Sequence, residues 1–405
     1  MPTVPSLSVD DALAAVRDSF GCSLATERVA LPAAWGRVLA EDILAPLSLP
    51  PHDNAAVDGY GVCGATGGAL RLVDRVAAGG VAQRPVHPGE AVRLFTGAPL
   101  PLGVDAVVMQ EDCRTEGDGQ VMVPAGVAPG ANCRRAGEDV RRGALALRAG
   151  VRLRPQETGL AAAMGLTALP VRVPLRAALF STGDELHEPG VSLPPGGIHD
   201  ANRYAVAAAL TALGAHVTDL GILPDRVEAV SAALRDAAPA HDLIVTSGGV
   251  SVGEEDHVKA AVTALGTLHL WRVKIKPGKP LAIGAVAGVP FLGLPGNPVA
   301  ALVTFLVIGR AMMLRLSGRE GTMPLAYPVP AGFESTRSPG KREFLRAWIE
   351  EGDNGRGRAV PFPTQGSAVL SSMVRAGGLI DLAETVRQVR MGETVPFRPF
   401  AELLW

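Results

Sequence analysis

The stretch Asp242-Leu-Ile-Val-Thr-Ser-Gly-Gly-Val-Ser-Val-Gly-Glu-Glu-Asp-His257 restricts the fold more than any other part of the chain. Leu243, Ile244 and Val245 form a short unbroken apolar run, the pattern of a strand buried on both faces of a parallel sheet. Thr246, Ser247, Gly248 and Gly249 follow at its C-terminal end, the edge where open α/β sheets bind ligands. Glycines there let backbone N–H groups approach an anion that a Cβ would hold off, and Ser251 continues the polar loop. Glu254, Glu255 and Asp256 add carboxylates, so one loop joins an anion cradle to metal-seeking groups and points to a metal-bridged phosphate. Two further segments repeat the design: Ala177–Ser181 runs into Thr182-Gly-Asp-Glu-Leu186, and Pro290–Leu294 runs into Pro295-Gly-Asn-Pro298 and an apolar helix. Strands of one sheet delivering polar loops to one edge define a ligand site.

At 405 residues the chain holds two to four domains with full-sized cores. A net charge of −2 leaves no electrostatic footprint for nucleic acid or an anionic membrane, and the few aromatics argue against stacking single strands. No uninterrupted apolar run approaches the ~20 residues of a membrane span, and the N-terminus has no signal-peptide pattern. The four cysteines are widely spaced with no CxxC, as expected for reduced thiols in a cytoplasmic protein.

Along the chain, residues 8–20 carry an amphipathic helical pattern with Ser8 as N-cap, and a second helical piece is expected over 33–40. A Pro-rich exit follows at 45–51. From 52 to 141 the pattern is short strands, best at 70–77, 90–94, 106–110 and 120–123. Helix-like sequence returns at 156–165. Residues 173–318 alternate strand and helix: strands at 177–181, 215–219, 242–246, 268–273 and 290–294, helices at 202–213, 226–237, 255–265 and 298–314. Beyond Pro324 strands recur at 326–330, 341–349, 359–362 and 379–382. The fold class is therefore a multidomain α/β protein. Its parts are a discontinuous N-terminal domain (1–50 with 142–172), an inserted small β domain (51–141), a three-layer α/β domain with a mainly parallel sheet (173–318), and a C-terminal β domain (319–405).

Each candidate residue has a plain reading beside a chemical one. Asp53 and Asp58 in Asp53-Asn-Ala-Ala-Val-Asp-Gly-Tyr60 shape a turn, or Asp58 presents a carboxylate to a ligand. Thr96 sits in a turn after a strand. Arg134, Arg135, Glu138 and Asp139 make a surface ion-pair cluster or a guanidinium site for an oxyanion. Asp184 and Glu185 follow a strand at the ligand edge. Asp225, with Glu228, makes a capping box for helix 226–237, which does not exclude a ligand role. Together Asp184, Glu185, Asp225 and Asp256 have the composition of a hard-cation site. Lys274, Lys276 and Lys279 surround a Pro-Gly turn between buried segments and suit an anion. Pro295 and Asn297 open a helix whose first amides favour negative charge. Arg342, Arg346 and Gln365–Ala368 offer a second, smaller polar wall. No Ser-His-Asp arrangement, HExxH, P-loop or full GxGxxG pattern occurs, so covalent catalysis has no candidate.

These motifs, in this order, resemble the MoeA-type molybdopterin molybdenumtransferase family, which includes the E domain of gephyrin. The matching segments are Asp53–Tyr60, Phe95–Ala98, Arg134–Asp139, Ser181–Leu186, Asp242–Asp256, Lys276–Pro280 and Leu294–Pro298, with Ile198–Arg203 as a further likeness. The resemblance implies a MogA-like α/β domain and a homodimer whose site lies across the interface. It places Asp58, Thr96 and Asp139 of one subunit opposite Glu185, Asp225, Asp256, Lys276 and Lys279 of the other. The implied reaction takes adenylylated molybdopterin and molybdate, inserts molybdenum into the dithiolene and releases AMP with Mg2+. A molybdopterin adenylyltransferase is an implied partner. Two other readings stay open at this point: adenylyl transfer onto molybdopterin, and a non-enzymatic scaffold of the gephyrin kind.

Overall fold

The structure, a computed structural model, describes residues 6–64, 67–116, 119–249, 257–278, 281–352, 355 and 357–405. It forms two compact units: Met1–Glu27 with Gly36–Val38 and Val171–Trp405, and Arg28–Trp35 with Leu39–Pro170.

The larger unit is built on a seven-stranded sheet. In chain order its strands are β1 (Ser6–Leu7), β2 (Arg176–Thr182), β3 (His216–Leu223), β4 (Leu243–Ser247), β5 (Gly266–Val273), β6 (Leu281–Val286) and β7 (Val289–Leu294). They lie side by side as β1-β5-β6-β7-β4-β2-β3. The run β7-β4-β2-β3 is parallel throughout, while β6 is antiparallel to both neighbours, which makes the sheet mainly parallel. Successive residues of one strand feed opposite cores. Ala177 and Leu179 pack in one apolar cluster, and Ala178 and Phe180 pack in the other. That is why the strand sequences are continuously apolar rather than alternating.

Helices α1 (Val9–Ser19), α2 (Asn202–Ala212), α3 (Val227–Ala237) and α4 (His257–Leu265) cover the faces. Ser8 caps α1 as expected, its hydroxyl accepting from the Asp11 N–H while Asp11 returns a bond to the Ser8 N–H. The expected helix 298–314 is instead α5 (Pro298–Thr304), a π-helical stretch (Phe305–Gly309) and α6 (Arg310–Leu316). The segment runs on to Leu316, and Arg310 and Arg315 interrupt its apolar run. By composition Pro298–Leu316 could cross a membrane, but 89% of its most apolar window is buried, as in a core helix. Strand 215–219 extends to Leu223. In the same unit Arg342–Glu351 pairs with Ile275–Lys276, Gly357–Pro361 and Gly378–Leu382, and Thr394–Pro399 extends that sheet.

The smaller unit holds a six-stranded sheet ordered Ala106–Met109, Gly59–Val62, Glu90–Leu94, Gly68–Val76, Gln120–Val123, Arg114–Glu116. The helix expected over 33–40 does not form. A single 3-10 turn, Leu31–Ala33, is followed by a turn and isolated bridging residues, because Leu39 and Ala40 donate to the Val151 and Pro170 carbonyls instead of to a preceding turn. Gly59 is required by close approach: a Cβ there would stand 2.0 Å from the Val108 carbonyl oxygen.

Glu90, 8% exposed in the smaller unit, accepts from Arg84 Nη2 at 2.9 Å, from Arg71 and from the His87 N–H. The Arg84 bond, opposed by burial and aided by Arg71 and His87, holds its carboxyl at about 2 against the ordinary 4.5. The folded value lies below the unfolded one, so the stabilisation is complete above pH 4.5 and disappears as pH falls towards about 2. Thermal melts should show Glu90→Gln melting below wild type at neutral pH, with the gap closing across that acid window; a constant gap would exclude this linkage.

Candidate active site at the C-terminal edge of the sheet

The parallel register brings the ends of β2, β4 and β7 level: Ser181 pairs with Ser247, and Ser247 with Leu294. The polar loops that follow therefore open together into a cavity of about 690 Å3. Its wall includes Ser181, Thr182, Gly183 and Glu185 after β2, Asp225 after β3, and Ser247, Gly248 and Gly249 after β4. Pro295, Gly296, Asn297 and Pro298 after β7, Asp200 and Asn202 before and at the start of α2, and Ala368 complete much of it.

Asp225 does not cap α3. The N-cap is Arg226, with no side-chain cap bond, so the expected capping box with Glu228 is absent. The Asp225 carboxylate turns to the cavity and accepts from Thr182 Oγ1 at 3.0 Å. This frees the plain reading of Asp225 from its strongest support. Glu185 shares the wall, and its carboxylate is close to Gly183, where a Cβ would meet Glu185 Oε2 at 2.6 Å. Ser181 Oγ is buried and has no hydrogen-bond partner among the described residues. A buried hydroxyl on a cavity wall is a ready donor or acceptor for a ligand or water.

Gly248 (φ 88°) and Gly249 (φ 64°) both lie in the left-handed region. A Cβ on Gly248 would stand 2.8 Å from the Thr182 carbonyl oxygen, and one on Gly249 2.5 Å from Val258 Cγ2. The loop can thus pass close against Thr182 and Val258 only without side chains. Asn202 Nδ2 bonds Ser247 Oγ at 2.8 Å and the Gly296 carbonyl at 2.7 Å, joining the β4 and β7 loops.

Of the residues singled out from sequence, Glu185, Asp225, Ser247, Gly248, Gly249, Pro295 and Asn297 line this cavity. Thr246 is fully buried behind it. Asp184 is not part of the described wall, and among the described residues no three Asp, Glu, His or Cys side chains gather as a metal-holding group. Lys276 pairs with Glu343 at 2.6 Å because its short strand runs parallel to Arg342–Glu351, with Lys276 opposite Glu343. Ser251, Asp256 and Lys279 lie outside the described residues.

Asp58, Thr96, Arg135 and Asp139 belong to the smaller unit. There Asp58 Oδ1 accepts from both the Thr96 N–H and the Thr96 hydroxyl at 2.7 Å, and those bonds, the N–H first, lower its pKa. Arg135 pairs with Asp53 at 2.6 Å, and Arg134 with Glu138 at 2.6 Å, which is the ion-pair reading of that cluster. Asp139 is exposed and its N–H donates to the Leu49 carbonyl. Arg346 is buried, bonding Ser372 Oγ and the Gly366 carbonyl at 3.0 Å, and burial lowers its pKa. Arg342 forks onto Asp381; of that second polar wall only Ala368 reaches the cavity.

Asp200 and Asn202 also line the cavity, although neither is a candidate by sequence alone. Their signal was the segment Ile198–Arg203 at a helix start, but nothing in linear order shows that α2 begins against the loops of β4 and β7.

Three family models match consecutive parts of the chain: MoeA N-terminal region (domain I and II) over residues 7–165, probable molybdopterin binding domain over 178–315, and MoeA C-terminal region (domain IV) over 328–400. A molybdopterin molybdenumtransferase of Haemophilus influenzae is 36% identical over 98% of this chain and 100% of its own length. Molybdopterin molybdenumtransferase 2 of Mycobacterium tuberculosis is 37% identical over 90% of this chain and 92% of its own. A crystal structure of a molybdopterin biosynthesis moea protein from Pyrococcus horikosii has 32% identity and a TM-score of 0.76, covering 98% of this chain and 99% of that one.

The glycine loop generates a direct test. Gly248→Ala should lower the denaturant midpoint by an amount equivalent to about 1–3 kcal/mol, the cost of a non-glycine residue in the left-handed region. Gly296, which has no atom closer than 4.0 Å to its would-be Cβ and no positive φ, should accept Ala with a far smaller effect.

Proposed function

The chain belongs to the MoeA family, and on that premise we propose that it is a transferase of molybdenum cofactor biosynthesis, inserting molybdenum from molybdate into adenylylated molybdopterin and releasing AMP. The observation that carries this reading is the meeting, in one cavity, of a glycine loop and the carboxylates of Glu185 and Asp225. Gly248 and Gly249 stand on the cavity wall, and the start of α5 at Pro298 adds its helix dipole. Glu185 and Asp225 stand on the same wall.

That donor set fits Mg2+, which keeps several waters and takes one or two carboxylates plus substrate phosphates. Glu185 and Asp225 would hold the ion, and when bound it would offset phosphate charge as the phosphoanhydride opens. The chain's own residues orient the ligand. Thr182 fixes the Asp225 carboxylate through its hydroxyl, and Asn202 holds Ser247 and the Gly296 carbonyl in place. No redox-active residue is needed, since the metal arrives as molybdate and the dithiolene is already present on the substrate. The four-domain division, the cytoplasmic location, the homodimer and an adenylyltransferase that supplies the substrate belong to the same proposal. Light scattering of the purified protein tests the dimer.

AMP release from adenylylated molybdopterin, measured with Mg2+ in the presence and absence of molybdate, tests the activity. Release should depend on molybdate. Asp225→Asn should slow it about tenfold or more, a hydrogen bond to a charged group contributing about 1.5–3 kcal/mol. Formation of adenylylated molybdopterin from ATP without a partner protein would replace this reading with adenylyl transfer.

A further inference from the structure

The loops that wall the cavity come from four strands, yet two adjacent residues at the start of α2 bond to groups on or following all four. Asn202 joins the ends of β4 and β7 through Ser247 and Gly296. Arg203 joins the other two. Its Nε meets Asp200 Oδ2 at 3.1 Å, its Nη2 meets Glu188, and its Nη1 meets Asp219. Asp200 and Glu188 lie on the excursion that leaves β2 and carries Glu185. Asp219 lies in β3, whose chain continues directly to Asp225.

The guanidinium is buried, at 3% exposure, with Asp200 at 2%, while the Glu188 and Asp219 side chains are about half exposed. Burial alone would weaken its charge, but hydrogen bonds to Asp219, Asp200 and Glu188 more than offset this and raise its pKa above the ordinary arginine value. Tyr204 adds a hydroxyl bond to Glu188 at 3.0 Å, and its ring lies 5.0 Å from Arg203 Cζ. Arg203 itself is not part of the described cavity wall.

We infer that Arg203 is a positioning residue that sets the separation of Glu185 and Asp225 across the cavity, by tying the β2 excursion to β3. A guanidinium suits the task because its N–H groups leave in fixed directions, so three carboxylates are held at set angles. An ammonium would attract the same carboxylates without fixing them. The inference rests on the proposed reaction for its kinetic consequence, but not for its structural one.

The test uses the full chain and three variants. Arg203→Lys keeps the charge and loses the fork; truncation to Ala would strand Asp200 in the interior and is avoided. Glu188→Gln and Asp219→Asn each weaken one arm at a half-exposed carboxylate, where folding is preserved. Hydrogen exchange without ligand should rise at residues 183–188 in Glu188→Gln, at residues 220–226 in Asp219→Asn, and in both segments in Arg203→Lys. The kcat for AMP release should fall about a hundredfold in Arg203→Lys, the scale of an error of ~1 Å in positioning, with KM little changed. Unchanged exchange in both segments, or wild-type kcat in a folded Arg203→Lys, would overturn the inference. If Arg203→Lys does not fold, the two single-arm variants decide it. Wild-type protein that releases no AMP would defeat the proposed reaction instead, while the exchange data would still judge the role of Arg203.

Discussion

Burial of the central strands on both faces is the constraint from which the rest follows. Ala177–Phe180, Leu243–Val245 and Phe291–Leu294 are fully enclosed, so no polar side chain can be carried within them without a partner. Polar chemistry is displaced to the strand ends, and parallel register makes those ends coincide. Ser181, Ser247 and Leu294 stand side by side, and each loop leaves the sheet at the same level. The cavity is thus a consequence of sheet packing rather than an addition to it.

Charge inside the larger unit is handled by arginines that join distant parts of the chain. Arg203 gathers three carboxylates next to the cavity. Arg342 and Arg398 share the buried Asp381, and Arg342 also reaches Asp10 at the start of α1. Among the described residues the buried Arg346 guanidinium bonds neutral acceptors, a hydroxyl and a carbonyl, and burial pushes its pKa down rather than up. Where carboxylates surround the guanidinium it stays firmly charged; where they do not, desolvation dominates. The first kind of site serves as a rigid brace, because breaking it leaves a buried charge behind.

Motif resemblance and geometry carry different parts of the functional reading. Family membership rests on matches along nearly the whole chain, which no single loop could supply. Local geometry explains why those motifs have the residue types they do. Glycines let the loop after β4 pass against Thr182 and Val258, Thr182 turns Asp225 toward the cavity, and in the smaller unit Arg135 holds Asp53 and Thr96 holds Asp58.

The strands, their order in the chain and most helices were legible in the sequence, because two-sided burial and 3.6-residue periodicity leave marks on local composition. So were the loops after β2, β4 and β7, since glycine and hydroxyl residues at strand ends are unusual enough to register. The capping box at Asp225 misled because a carboxylate three residues before a Glu looks the same whether it folds back on its own helix or turns outward. Only Thr182, 43 residues earlier, decides between them. By sequence Lys276 suits an anion, but the pairing of its strand places Glu343 opposite. The segment Ile198–Arg203 marks Asn202 and Arg203 by its likeness to the family but not by their contacts, since their partners lie at 188, 200, 219, 247 and 296. What the sequence determined by itself was the set of local elements and the chemistry offered at their ends. Which side chains meet, and which are consumed in pairs, was decided by tertiary packing, because a hydrogen bond depends on distance in space and leaves no trace in the spacing of residues along the chain.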